Sequence, residues 1–152
     1  MSRYQYILDQ LPYGPGFCFV DGLEEVSETA IRGHYHFRDT APFYRDHFPE
    51  KALTPGVLLV ECMAQIGLVC LGIHLAGRPD NETPQGAPPL VLTESNVIYE
   101  STVPPGEIVR VEAQRKYWRL GKLKCTVALF RSDGQRAVYG TLAGMQPRSR
   151  PA

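Results

Sequence analysis

From Gly56 to Ala76 the chain is apolar except for Glu61, Gln65 and His74. Leu53-Thr-Pro-Gly56 opens this run, with Thr54 placed to cap a helix and Pro55 suited to its first position. Gly77 and Pro79 end it. The spacing predicts a helix over 56–76 with apolar residues on nearly every face, and such a helix must be covered on nearly all sides. It is long enough to cross a bilayer, but the three polar residues inside it favour the core of a soluble domain, with no membrane partner. Leu58, Glu61, Gln65, Leu68 and Gly72 fall three and four apart, so Glu61 and Gln65 share one stripe.

The covering has to come from strands. A short amphipathic helix is expected over 4–11, a strand over 17–20 broken at Asp21-Gly22, and another over 28–37. Residues 38–54 read as a loop with one turn. Beyond a loop over 77–89, strands are expected at 90–103 (bulged near Glu94-Ser-Asn96), 108–117, 122–130 and 137–145, with a frayed tail over 146–152. The fold class is therefore α+β: a long central helix wrapped by a curved antiparallel sheet of five to six strands, since neither layer buries its apolar surface alone. The chain has 152 residues, enough for one domain with one core, and it carries no internal repeat.

Lys+Arg and Asp+Glu are both 16, which argues against a nucleic-acid binder. The charge is nevertheless segregated, with ten basic and two acidic residues in 110–152. The segment Arg115–Lys124 holds Arg115, Lys116, Arg119, Lys122 and Lys124 and no acid. It is either a solvated strand pair or a docking patch for an acidic partner. Cys18, Cys62, Cys70 and Cys125 have no CxxC spacing and mostly apolar neighbours, so they read as free thiols. The first residues lack a secretory h-region, and a cytoplasmic location is expected.

Two side chains stand out chemically. Glu61 lies on a helix otherwise built for burial, and desolvation favours the neutral, proton-donating form of a carboxyl. The bland alternative pairs it with an arginine. His47 lies in a Pro-terminated, non-periodic loop, where an imidazole can serve as a base near neutral pH. The N–H groups of Gly56 and Val57 open the helix without intrahelical acceptors, and the peptide dipoles favour negative charge there. Base, acid and oxyanion donors together suit proton abstraction beside a carbonyl. His34 and His36 share a strand face, but no third ligand completes a metal set.

The segment Asp46-His-Phe-Pro-Glu-Lys-Ala-Leu-Thr-Pro-Gly-Val-Leu-Leu-Val-Glu-Cys-Met-Ala-Gln65 resembles the hot-dog-fold (3R)-hydroxyacyl-[acyl carrier protein] dehydratases. His47 and Glu61 stand at that family's catalytic spacing, and Pro55-Gly56 matches its helix start. Gln65 matches its helix glutamine. Leu11-Pro12, Phe17 with Val20-Asp21, and Val103-Pro-Pro-Gly-Glu107 are similar to its flanking segments. Where the family usually has Pro-His-Arg-Tyr-Pro-Phe, this chain has Pro12-Tyr-Gly-Pro-Gly-Phe17.

The resemblance implies a hot-dog fold and reversible loss of water from a 3-hydroxyacyl thioester. His47 would take the C2 proton, Gly56 would hold the thioester oxygen, and Glu61 of the neighbouring subunit would protonate the leaving hydroxyl. It implies no metal or nicotinamide cofactor, because the substrate arrives on the phosphopantetheine of an acidic acyl carrier protein. Such a partner gives the Arg115–Lys124 patch a role. Phe17, Phe43, Met63 and Leu68 are candidates for lining the acyl tunnel. The implied assembly is a homodimer, a trimer of dimers or a heterodimer with a related subunit. Fatty-acid synthesis and specialised polyketide, polyene or pigment synthesis are both compatible with it. A hot-dog thioesterase, with Glu61 activating water, and a non-catalytic acyl-carrier binding partner are the alternatives.

Overall fold

The computed structural model describes residues 2–77 and 90–147. Residues 78–89 of the loop expected over 77–89, and the end of the tail, 148–152, lie outside the described residues.

The run of apolar residues forms a central helix in three parts: α2 (Gly56–Ala64), a π-helical segment (Gln65–Cys70) and α3 (Leu71–Ala76). Every residue of the π-helical segment is buried. Around it runs a six-stranded antiparallel sheet in the order β1-β2-β4-β5-β6-β3. Its strands are β1 (Gly22–Val26), β2 (Ala30–His36), β3 (Val91–Tyr99), β4 (Ile108–Arg119), β5 (Lys122–Phe130) and β6 (Arg136–Met145). One helix enclosed by one curved sheet is the hot-dog architecture.

Period-two patterning aims the sheet at the helix. On β4, Val109, Val111 and Ala113 turn inward while Arg110 and Gln114 turn out, and on β5 Leu123, Cys125, Val127 and Leu129 are all buried. These side chains meet Leu59, Met63, Ile66, Leu68 and Leu71 of the helix in one continuous core. Burying such side chains at roughly 1.5–3 kcal/mol each makes this the dominant stabilising contribution. Cys62, Cys70 and Cys125 are free and buried, and burial pushes all three thiols up, Cys125 to about 12.

Several expectations need correction. The N-terminal helix is only α1 (Gln5–Leu8). No strand forms over 17–20. Instead Pro15–Phe17 is a 3₁₀ turn, and the first strand begins at Gly22. Phe19 and Val20 are buried, yet the Phe19 backbone bonds side chains of the helix and pairs with no strand: its N–H donates to Gln65 Oε1 at 2.7 Å and its carbonyl accepts from the Cys62 thiol at 3.4 Å. Thr54 does not cap the helix either. Its hydroxyl pairs with the Tyr44 hydroxyl at 2.6 Å, and Pro55 takes the N-cap position with no side-chain cap. The strand expected over 90–103 ends at Tyr99, and its register shift lies between Leu92 and Glu94.

Candidate active site

Glu61 sits on α2, one turn before the π-helical segment, and is partly buried. Its Oε2 accepts a hydrogen bond from Gln65 Nε2 at 2.9 Å. Gln65 is wholly buried and fully engaged: the same Nε2 donates to the Phe17 carbonyl at 2.9 Å, while Oε1 accepts the Phe19 N–H at 2.7 Å. One amide thus fixes the carboxyl and ties the N-terminal segment to the helix. With Oε2 engaged as an acceptor, a proton on this carboxyl belongs on Oε1.

Beside Glu61 lies a cavity of about 290 Å³, lined by Tyr13, Phe17, Glu61, Ala64, Leu68, Val69, Leu90, Val91, Leu92 and Gly144. Tyr13 is half-buried, and its phenol is pushed up by desolvation first and the Glu61 charge second. Of the four tunnel candidates, Phe17 and Leu68 line this cavity. Met63 is sealed in the core, and Phe43 packs on the Tyr44 ring, 4.6 Å between centroids. Sequence reasoning missed Tyr13. Its position in the segment that departs from the family pattern was the available signal.

His47 follows a 3₁₀ turn over Pro42–Arg45 and precedes the helix. The chain doubles back here. The Leu53 N–H donates to the His47 carbonyl at 2.9 Å, and Phe48 and Lys51 exchange backbone bonds at 3.0 and 3.1 Å. His47 Nδ1 lies 2.9 Å from the Leu53 carbonyl. A carbonyl only accepts, so Nδ1 carries the proton and Nε2 keeps its lone pair. The His47–Phe48 peptide is cis. Among the described residues, the N–H groups of Gly56 and Val57 have no acceptor. The Tyr99 ring lies against Gly56, where a Cβ would come within 2.9 Å of it, and the Tyr99 hydroxyl donates to the Gly56 carbonyl at 3.3 Å.

His47 is not among the residues that line the Glu61 cavity. That cavity opens beside β3, which has β6 on one side and is otherwise the edge of the sheet. β3 is exposed along its length except at Val97, and its large apolar side chains Val91, Leu92, Ile98 and Tyr99 are left about half accessible. The basic segment is the hairpin of β4 and β5. Lys122 faces Met145 and Met145 faces Val91, so the hairpin ends in the same row as the cavity wall. Lys124 pairs with Glu94 at 2.9 Å, and the Arg119 guanidinium lies over the Tyr117 ring at 4.6 Å. Arg115 and Lys116 form no ion pair with an acidic side chain among the described residues, while the charge of Lys122 adds to that of Lys124 at Glu94. His34 pairs with Glu24, and no cluster of metal-ligating side chains occurs among the described residues.

Residues 11–140 match the FabA-like domain model. The chain is 30% identical over 146 residues to the 3-hydroxyacyl-[acyl-carrier-protein] dehydratase FabZ of Clostridium perfringens, covering 93% of this chain and 96% of the relative. It is 32% identical over 137 residues to the protein of that name from Acinetobacter baylyi, covering 88% and 87%. In fold it is similar to a chain of the dehydratase heterocomplex ApeI:P from Xenorhabdus doucetiae, with a TM-score of 0.74 at 16% identity over 93% of this chain and 91% of that one. It is also similar to a hypothetical thioesterase from Streptococcus pneumoniae solved with coenzyme A, with a TM-score of 0.61 at 12% identity over 85% and 87%. The match to the family model and the extent of these sequence identities show that the chain belongs to the FabA-like family of hot-dog-fold dehydratases.

Proposed function

We propose that the protein dehydrates a (3R)-3-hydroxyacyl thioester, borne on the phosphopantetheine of an acyl carrier protein, reversibly to the trans-2-enoyl thioester. The observation that carries this reading is the Glu61 carboxyl beside an apolar cavity, with Oε2 engaged by Gln65 and Oε1 left for a proton. His47 complements it, since its Nδ1–H is committed to the Leu53 carbonyl and Nε2 is the basic atom.

In this mechanism Nε2 of His47 takes the C2 proton while charge grows on the thioester oxygen, held by the N–H groups of Gly56 and Val57 at the positive end of the helix. The electron pair of the broken C2–H bond forms the C2=C3 bond as the C3–O bond breaks. Glu61 gives its proton to the departing hydroxyl, which leaves as water. Imidazolium and carboxylate then exchange a proton through that water to restore the starting state.

His47 and the Glu61 cavity come together across a pair of subunits. The exposed apolar face of β3 supports a homodimer joined along that edge around a two-fold axis. Lys122, in the same row as the cavity wall, together with Arg115 and Lys116 on the same hairpin, would receive an acidic carrier protein. The enzyme would act in the cytoplasm, in fatty-acid synthesis or a specialised polyketide, polyene or pigment route.

The test is to present 3-hydroxybutyryl-carrier protein and follow enoyl absorbance. His47→Ala should lower the rate by about 10²–10⁴-fold. Release of free thiol and free acid in place of an enoyl product would establish a thioesterase and overturn dehydration.

A further inference from the structure

Of the ten residues that line the Glu61 cavity, only Glu61 and Tyr13 have polar side chains. The rest of the wall is aliphatic, Phe17 or glycine. A pocket built this way fixes its ligand through the few polar groups that converge in it. Among the described residues the Tyr13 hydroxyl has no hydrogen-bond partner, although its ring is half-buried. A phenol in that position needs a partner from the ligand or solvent.

The local chain explains how Tyr13 reaches the cavity. Gly14-Pro-Gly16 follows it, and the Phe17 N–H closes a turn onto the Gly14 carbonyl at 3.1 Å. The Phe17 carbonyl is in turn bonded to Gln65 Nε2 at 2.9 Å, the same nitrogen that bonds Glu61 Oε2 at 2.9 Å. The segment bearing the phenol and the carboxyl therefore share one rigid anchor. The buried amide thus holds the Phe17 end of the segment against the carboxyl, four residues from Tyr13.

With dehydration at Glu61 as its premise, we propose that Tyr13 is a second substrate-binding group in this cavity, hydrogen-bonding the 3-hydroxyl while Glu61 protonates it. Desolvation keeps the phenol protonated over the working pH range, so it stays a donor. A hydroxyl both donates and accepts, and two groups converging on it orient the C3–O bond for departure. Tyr13 then sets specificity as well. The pocket favours chains bearing a hydroxyl at this depth over saturated chains of equal length, because a saturated chain would leave the phenol unpaired.

The test separates binding from turnover. In a His47→Ala background, which holds the substrate unreacted, calorimetric titration would compare 3-hydroxybutyryl-pantetheine with butyryl-pantetheine. With Tyr13 present the hydroxylated ligand should bind about tenfold more tightly. Tyr13→Phe should cut that preference several-fold, to what Glu61 alone provides, while leaving butyryl-pantetheine affinity unchanged. An undiminished preference in Tyr13→Phe, or equal weakening of both ligands, overturns the proposal. Tyr13→His, which restores a polar group, should recover part of the preference. The dehydration premise fails separately, if the unsubstituted protein forms no enoyl product from 3-hydroxybutyryl-pantetheine.

Discussion

Gln65 is where stability and the proposed chemistry meet in one side chain. Its amide bonds Glu61, Phe17 and Phe19 in a fully buried setting. Replacing it with leucine leaves the Phe19 N–H without an acceptor, and each such orphaned group costs about 1–3 kcal/mol. Gln65→Leu should therefore lower unfolding free energy by about 2–4 kcal/mol in urea titration and slow turnover as well. Glu61→Gln should behave in the opposite way. Its side-chain oxygen still accepts from Gln65, so stability should stay within about 0.5 kcal/mol, while loss of the transferable proton lowers turnover by about 10²–10⁴-fold. Circular dichroism melting beside an enoyl assay distinguishes the two variants. His47 and Glu61 could be singled out as candidates because both lie in one short motif. The task of Gln65 was not, since its backbone partners lie 46 and 48 residues away and only the fold brings them near.

At the scale of elements, the central helix and the strands of the C-terminal half were readable from period and turn residues. The N-terminal segment was not. Phe17-Cys-Phe-Val20 has the composition of a strand, but side chains of the helix claim the Phe19 backbone before any ladder forms. The ladder from β3 to β6 has its own tight point at Gly140, where a Cβ would fall 2.0 Å from the Asn96 carbonyl oxygen. Gly140→Ala must part the two strands, and a loss of more than about 2 kcal/mol in chemical denaturation is expected. Further along, α1 is tied to α3 by the Tyr6 hydroxyl, 2.8 Å from His74 Nδ1. Burial lowers the His74 pKa from 6.5. The unfolded chain therefore binds the proton more readily. The stabilisation from neutral His74 is complete above about 6.5 and is lost as pH falls through the lower folded value. Thermal melts should show a decline below that pH that His74→Gln flattens.

At the scale of the whole molecule, the apolar edge of β3 and the placement of His47 outside the Glu61 cavity point to a catalytic unit larger than one chain. If each site takes its base from one subunit and its acid from the other, His47→Ala and Glu61→Gln proteins are both inactive alone. Mixed and allowed to exchange, they should regain about a quarter of the unsubstituted activity, since half the pairs become mixed and each holds one intact site. The proposed recognition of a carrier protein belongs to this scale too. Charge reversal at Lys116 and Lys122 should lower kcat/KM for carrier-borne substrate by about tenfold or more and leave the pantetheine-borne substrate unaffected. The uncovered strand has a final consequence through mass action. A lone subunit would remain folded around its own helix yet possess no complete reaction centre, so progressive dilution should silence the enzyme without denaturing it, and concentrating the same sample should revive it.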